Sequence, residues 1–204
     1  FAYQNGYEPT AQTGTVTSAS GRKVFEIDGK PAADIYARWN TGAIPSAIGQ
    51  NEVKNILSDA TLWPLGRKIG SLVGIPNYLL AHPSLSHADG SLELFAEVKE
   101  GEELTQMTGD KAALAARAGR VASFALRAGE VSQNEVAGAL MVYCGGCMLA
   151  VQDRLAEVYG GVDSALGSAP FLGTFTFGEQ GPMHGAGNKH GNLMISCIVF
   201  TNSE

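Results

Sequence analysis

This sequence has few cysteines, no clusters of basic residues and no long hydrophobic runs. Each of these features argues against a class of protein. Its 14 lysines and arginines are scattered among 20 acidic residues, for a net charge of −6, so we expect no basic surface for nucleic acid. No apolar run reaches the roughly 20 residues that a membrane-spanning helix needs. Three cysteines are too few for a disulfide framework in 204 residues, which favours a reducing, cytoplasmic location.

Familiar catalytic motifs are also absent. The chain has no G-x-S-x-G, no Walker-type loop, no H-E-x-x-H and no G-x-G-x-x-G that follows a strand. We therefore do not predict an enzyme. The alternative is a Cys-dependent enzyme, because Cys144, His190 and Glu179 can be combined into a nucleophilic set, although nothing in their spacing demands it.

Strand-like and helix-like patterns are mixed along the whole chain, and 45% hydrophobic content is enough for a substantial core. The pattern predicts an α+β fold with a largely antiparallel sheet and packed helices. Residues 1–20, rich in Gly, Thr and Ser, are predicted to be an irregular lead-in or the end of an upstream domain, with a strand considered at 14–18 and the main domain at 21–204. The elements predicted before residue 130 are a strand at 22–29, helices at 30–39, 49–59 and 110–128, and a meander of strands between 65 and 108. For the helix at 110–128, Asp110 is the predicted N-cap and Gly129 the predicted stop, with Leu114, Val121, Phe124 and Leu126 facing a core.

The C-terminal part is predicted to be a β-α-β-β unit. The nearly continuous apolar run at 136–144 is typical of a strand buried on both faces. A helix at about 149–161 and strands at 171–179 and 191–200 follow it, and a glycine-rich loop separates the last two strands.

That loop, 178-GEQGPMHGAGNKHGN-192, concentrates polar side chains between two apolar strands. Its five glycines would let a backbone approach a ligand closely, but a solvated hairpin loop explains the composition equally well. Glu179 is its best candidate for function, because a carboxylate at a strand end can accept hydrogen bonds from a ligand's ammonium or hydroxyl group. The same carboxylate could instead hold the loop through backbone amides. His82 and His87 flank a turn and are expected to be exposed.

The sequence Cys144-Gly-Gly-Cys147 has the C-x-x-C spacing of redox pairs and of half zinc sites. A zinc site would need Cys197 with His184 or His190, and the usual second close pair is missing, so we predict no metal. The βαβ pattern of thioredoxin-like proteins is also not evident. Small buried residues at the end of a core strand are the favoured interpretation.

Four segments, in order, resemble the C-terminal domain of FIST proteins, which are bacterial intracellular signal-transduction modules. They are 26-EIDGKPAADIY-36, 89-DGSLELFAEVKEG-101, 138-GALMVYCGGC-147, and 178-GEQGP-182 with 190-HGN-192. Where many members carry Arg after the glycine of the third segment, this chain has Cys147.

The resemblance implies a cytoplasmic sensory domain that binds a small ligand, with an amino acid or similar metabolite as the expected class. It also implies a possible homodimer or attached signalling domains as partners. A haem-based nitric oxide sensor is the alternative, since some relatives share the Gly178-Glu179-Gln180 segment, with His184, His190 or Cys144 as axial ligand. The predicted ligand-binding residues are Cys144, Gly145, Gly146, Cys147, Phe177, Gly178, Glu179, Gln180, Gly181, His190 and Asn192.

Overall fold

The computed structural model describes residues 1–72, 74–183 and 187–202. These residues form two compact units. Unit 1 contains residues 1–6, 109–183 and 187–202, and unit 2 contains residues 7–72 and 74–108. Within the described ranges, five helices and mostly antiparallel strands confirm the predicted α+β class.

The elements are numbered in chain order. They are β1 (Ala2–Gln4), β2 (Glu8–Ser20), β3 (Lys23–Ile27), β4 (Lys30–Pro31), α1 (Ala32–Trp39), β5 (Lys54–Asn55), α2 (Leu57–Ala60), β6 (Leu65–Leu72), β7 (Ile75–Ala81), β8 (Pro83–Ser86), β9 (Leu92–Leu94), β10 (Glu103–Thr108), α3 (Lys111–Ala128), β11 (Val136–Cys144), α4 (Gly145–Ala150), α5 (Leu155–Ala165), β12 (Phe171–Thr176), β13 (Glu179–Met183), β14 (Gly187–Gly191) and β15 (Ile195–Thr201).

Unit 2 is built on one antiparallel sheet in the order β5-β8-β9-β3-β2-β10-β6-β7. Helix α1 packs on β3 and buries Ile35 and Tyr36 against Val24 and Ile27 of that strand. The Tyr36 hydroxyl donates a hydrogen bond to the carbonyl oxygen of Trp63 at 2.8 Å, so the buried phenol keeps a partner. The predicted strand at 22–29, helix at 30–39 and meander are present.

Two secondary-structure predictions for the N-terminal half are wrong. Residues 1–20 are not irregular: they form β1 and the long strand β2, which pairs with both β3 and β10 and contains the strand considered at 14–18. The helix predicted at 49–59 is reduced to the four residues of α2. Lys54 and Asn55 instead pair with β8, and the Asn55 side chain accepts a hydrogen bond from the Leu57 amide at 3.0 Å, which starts α2 late.

His82, predicted to be exposed, is buried in unit 2. Its Nε2 donates to the carbonyl oxygen of Leu57 at 3.0 Å. Burial lowers the pKa of His82 from 6.5 to about 4, and the bond to Leu57 only partly opposes this effect. A base with a lowered folded-state pKa binds its proton more readily when unfolded. The stability that it supports is therefore complete above pH 6.5 and is lost as the pH falls towards 4.

We accordingly expect the free energy of unfolding to fall by about 1.4 kcal/mol for each pH unit inside that window. Urea unfolding of the whole chain at several pH values between 4 and 7 measures the slope. His82→Gln should flatten it, because the amide can still donate to Leu57 but does not titrate. His87→Gln, which retains His82, should keep the slope; an equal slope in His82→Gln would refute the assignment.

Unit 1 has a four-stranded sheet in the order β1-β15-β11-β12. Strand β11 runs parallel to β12 and antiparallel to β15, with α4 and α5 in the crossover between β11 and β12, so the predicted β-α-β-β unit is confirmed. The prediction that β11 is buried on both faces is only partly correct. Met141 and Tyr143 are buried, whereas Leu140 and Val142 on the opposite face are half-buried.

Helix α3 follows the local signals that predicted it. The Asp110 carboxylate accepts a hydrogen bond from the Ala113 amide at 2.7 Å, and the helix ends at Gly129. Leu114 is buried as predicted, but Phe124 is exposed. The predicted loop at 178–192 contains the hairpin strands β13 and β14.

Candidate functional site

A buried carboxylate with one unsatisfied oxygen lies at the start of the hairpin in unit 1. Glu179, the first residue of β13, is 4% exposed. Its Oε1 accepts a hydrogen bond from the Thr176 hydroxyl at 2.8 Å, and Thr176 ends β12. Its Oε2 is buried and has no hydrogen-bond partner among the described residues. An unsatisfied buried oxygen is costly, and this atom can accept a hydrogen bond that no described residue supplies.

Tyr3 of the edge strand β1 is the second member of the site, and sequence analysis missed it. Its hydroxyl donates to the main-chain carbonyl oxygen of Glu179 at 2.9 Å. Burial raises the pKa of Tyr3, the Glu179 and Cys144 charges raise it further, and the Gly191 amide opposes the rise. Tyr3 therefore remains a neutral donor at physiological pH.

Gly181 explains why the tyrosine ring can lie so close to the hairpin. A Cβ atom on Gly181 would lie 2.5 Å from the Tyr3 ring, so only glycine permits this packing. Strand β1 pairs with β15, with Tyr3 opposite Ser196. The position of Tyr3 thus depends on a pairing between the two ends of the chain, which no local pattern indicates.

Cys144 and Cys147 are adjacent and buried. Cys144 ends β11, and Cys147 lies on the first turn of α4. The hydrogen bond between the two thiols is the largest cause of a raised pKa at Cys144, followed by burial and by the charges of Cys147 and Glu179; the Cys147 amide opposes them. The Cys144 thiol is therefore expected to stay protonated.

The structure also corrects one premise about this cysteine pair. A βαβ unit does surround it, because β11 and β12 are parallel and joined through α4 and α5. A redox pair in such a unit needs a lowered pKa to supply a thiolate, and the pKa of Cys144 is raised instead. The environment favours the interpretation of small buried residues at the end of a core strand.

We therefore expect all three thiols to be unreactive in the folded protein. Burial also raises the pKa of Cys197 to about 11, and all three cysteines are free and buried. Iodoacetamide at pH 7.5, followed by mass spectrometry, should modify none of them in the native chain and all three after unfolding in urea. Rapid native alkylation of Cys144 would contradict this expectation and would support the Cys-dependent enzyme.

Two side chains pack over the glycines beside the carboxylate. The Phe177 ring lies 3.1 Å from the position that a Cβ atom on Gly145 would occupy, although Phe177 itself is 87% exposed. Gly178 has φ +90°, a backbone conformation that favours glycine, and the His190 Nε2 atom lies 3.1 Å from its Cβ position. Phe177 and His190 thus form the solvent-facing side of the segment.

The remaining predicted site residues are distributed between buried and exposed positions. Gly146 is half-buried in α4. Gln180 and His190 are exposed and face each other across the β13–β14 ladder. Asn192 is buried directly after β14. His184, considered as a metal or haem ligand, lies outside the described residues.

The geometry brings Cys144, Cys147 and Glu179 together but does not assemble the other sets considered. Among the described residues, no hydrogen bond joins Cys144 to His190. The Cys144 thiol is instead hydrogen-bonded to the Cys147 thiol, and His190 is exposed. The described part of the chain also contains no cluster of three His, Cys, Asp or Glu side chains able to hold a metal ion.

Arg117 of α3 supports this site from inside unit 1 and was also missed. It is 1% exposed, and its Nη1 donates to the carbonyl oxygens of Asn5 and, at 3.0 Å, Leu193. Its guanidinium lies 5.1 Å from the ring centroid of Tyr143, the residue before Cys144. Helical periodicity placed Arg117 on α3 but gave no sign that a charged residue would be buried.

With this geometry established, comparison with known proteins identifies the family. The family model described as the FIST C domain matches residues 32–182, well over half of the chain. The chain belongs to the FIST C domain family. This is a family of sensory signal-transduction domains. No curated protein and no solved structure matches the chain.

The part of the chain that matches the FIST C domain includes Cys144, Cys147 and Glu179 and ends within β13. Tyr3 and His190 lie outside the matched residues. Among the described residues of this FIST C domain, no helix has both the length and the apolar character needed to span a membrane.

Proposed function

We propose that this FIST C domain is a small-molecule sensor that binds its ligand through the Glu179 carboxylate. The single observation that supports the proposal is the buried Oε2 atom of Glu179, which has no partner among the described residues. A bound amino or hydroxyl group would satisfy this oxygen. An ionised carboxylate accepts its strongest hydrogen bonds from charged donors.

The neighbouring groups favour a ligand that supplies a positive charge. Tyr3 and Cys144, whose pKa values are both raised, remain neutral, and Thr176 offers only a hydroxyl to Oε1. An ammonium group would therefore provide a charge that these three side chains do not. The proposed ligand class is an amino acid or a similar amine-bearing metabolite.

A thermal-shift panel of amino acids, amines and matched deaminated acids tests the proposal. At a ligand concentration 100 times the Kd, binding should stabilise the protein by about 2.7 kcal/mol. Glu179→Gln should weaken binding at least about tenfold, because a charged hydrogen bond becomes a neutral one. The matched control Glu103→Gln changes an exposed residue of β10 and should respond like wild type.

Two outcomes would overturn the proposal: no amine stabilises the wild-type chain, or Glu179→Gln binds the same amine equally well. The deaminated acids show whether the amine itself is recognised, since they should cause no shift. Sedimentation with and without the active amine tests the further prediction that the domain signals through a homodimer.

Haem is not favoured by the described residues. Two of the axial ligands considered lie in the described residues. The Cys144 thiol is hydrogen-bonded to the Cys147 thiol, and His190 is exposed on β14. We therefore expect protein purified from haem-supplemented cells to be colourless. An intense Soret band would contradict the proposal of an amine sensor and would support a haem sensor.

A further inference from the structure

Unit 1 contains a cavity on the face of the sheet that α5 covers, and Glu179 is not part of its lining. Its volume is about 340 Å³, within the range of small-molecule pockets. Strands β11 and β12 form the floor, and α5 with one residue of α3 forms the roof. Met141 and Val162 supply its buried aliphatic surface.

Two aromatic pairs form the walls of this cavity. Tyr159 of α5 lies against Phe171 of β12, with 5.2 Å between ring centroids. Tyr143 of β11 contacts Phe175 of β12 edge to face, at 6.0 Å. Tyr159 is 61% exposed and Phe175 is 49% exposed, so both rings reach the mouth of the cavity.

Gly173 leaves a gap in the floor between these two pairs. Side chains alternate along a strand, so positions 171, 173 and 175 share the face under α5. A Cβ atom on Gly173 would meet no atom within 4 Å. The middle position of the row is thus bare backbone between two aromatic side chains, a slot that a flat ring can enter.

The lining described for this cavity is uncharged. None of its residues is Asp, Glu, Lys, Arg or His, and the Tyr143 hydroxyl already donates to the carbonyl oxygen of Leu114 at 3.0 Å. A charged ligand would lose its hydration there without gaining a partner. An uncharged aromatic ring would instead gain both apolar burial and ring contacts.

We propose that this cavity, defined by Tyr143, Tyr159, Phe171, Gly173 and Phe175, is a binding site for an uncharged aromatic molecule of one or two fused rings. The site is separate from the Glu179 carboxylate and does not depend on the function proposed for it. A chain that fails to bind amines can still bind an aromatic ring here, and the converse also holds.

Calorimetric titration of the whole chain with indole, and with indole-3-carboxylate as the charged counterpart, tests this site. Wild type should bind indole, and the carboxylate should bind at least about tenfold more weakly. Gly173→Leu fills the slot and should weaken indole binding at least about tenfold. Gly160→Leu is the matched control: it adds the same side chain at an open, exposed position of α5 and should change the Kd less than about twofold.

Tyr159→Ala provides a second variant that is independent of how well Gly173→Leu folds. Tyr159 is largely exposed, so its removal should leave the fold intact while weakening indole binding about fivefold. The proposal is overturned if wild type does not bind indole, if the carboxylate binds as tightly as indole, or if Tyr159→Ala and the folded Gly173→Leu variant both retain the wild-type Kd.

Discussion

Replacing Arg117 with methionine is expected to lower the free energy of unfolding by about 3–5 kcal/mol. The guanidinium is buried and donates to the carbonyl oxygens of Asn5 and Leu193, which flank β1 and β15. Methionine retains much of the apolar stem but donates no hydrogen bond, so both carbonyl groups lose a charged donor. Urea unfolding at pH 7 measures the difference between the variant and wild type.

Arg120→Met is the matched control for this prediction. Arg120 lies three residues further along α3, is exposed, and donates its Nη2 to the carbonyl oxygen of Ala113 at 2.9 Å. Its replacement should change the free energy of unfolding by less than about 0.5 kcal/mol. Equal effects of the two substitutions would show that Arg117 contributes no more than a surface arginine.

Gly119→Ala is expected to destabilise the chain by about 2–3 kcal/mol, although alanine is the better helix former by about 1 kcal/mol. Gly119 lies where α3 crosses α5. A Cβ atom there would be 2.5 Å from the carbonyl oxygen of Gly161 and 2.8 Å from its carbonyl carbon. Backbone atoms cannot move aside as a flexible side chain can, so the two helices would have to separate.

Alanine substitutions at Gly160 and Gly161 of α5 are the controls for Gly119→Ala, and urea unfolding at pH 7 measures all three variants. A Cβ atom on Gly160 would meet nothing within 4 Å, and one on Gly161 would lie no closer than 3.6 Å to Gly119. Both alanine variants should therefore be neutral or should stabilise the chain by up to about 1 kcal/mol. A stabilised Gly119→Ala variant would contradict the close crossing of α3 and α5.

Elements whose signals are local were predicted well from the sequence. Helix α3 combines an Asp110 cap, helical periodicity and Gly129 at its end, and the structure reproduces all three. The exposure of Phe124 was the exception. One apolar residue on a helix surface costs little, so periodicity alone did not determine which side it faces.

Elements that depend on distant partners were not predictable in the same way. The segment at 49–59 has helical spacing, yet pairing of Lys54 and Asn55 with β8 displaces most of the helix. Strand β1 contains only three residues, too few for alternation to indicate a strand. Its pairing with β15 joins segments almost 200 residues apart, which a single sequence does not reveal.

The residues of the candidate site also differ in whether a local sequence signal could identify them. Glu179 could be selected from the sequence because it follows an apolar strand and a glycine, and its partner Thr176 is only three residues away. Tyr3 lies 176 positions from Glu179 and was missed. The protonated state expected of Cys144 was also not readable, because its pKa depends on contact with Cys147 and on burial.

The most direct test of the sensor is a crystal structure of the chain with the amine that stabilises it most in the thermal-shift panel. We expect the ligand nitrogen to lie within about 3.2 Å of the Glu179 Oε2 atom, with the Thr176 hydroxyl still hydrogen-bonded to Oε1. A bound amine that leaves Oε2 without a partner, or that lies in the cavity beneath α5, would contradict the claim that Glu179 is the ligand-binding residue.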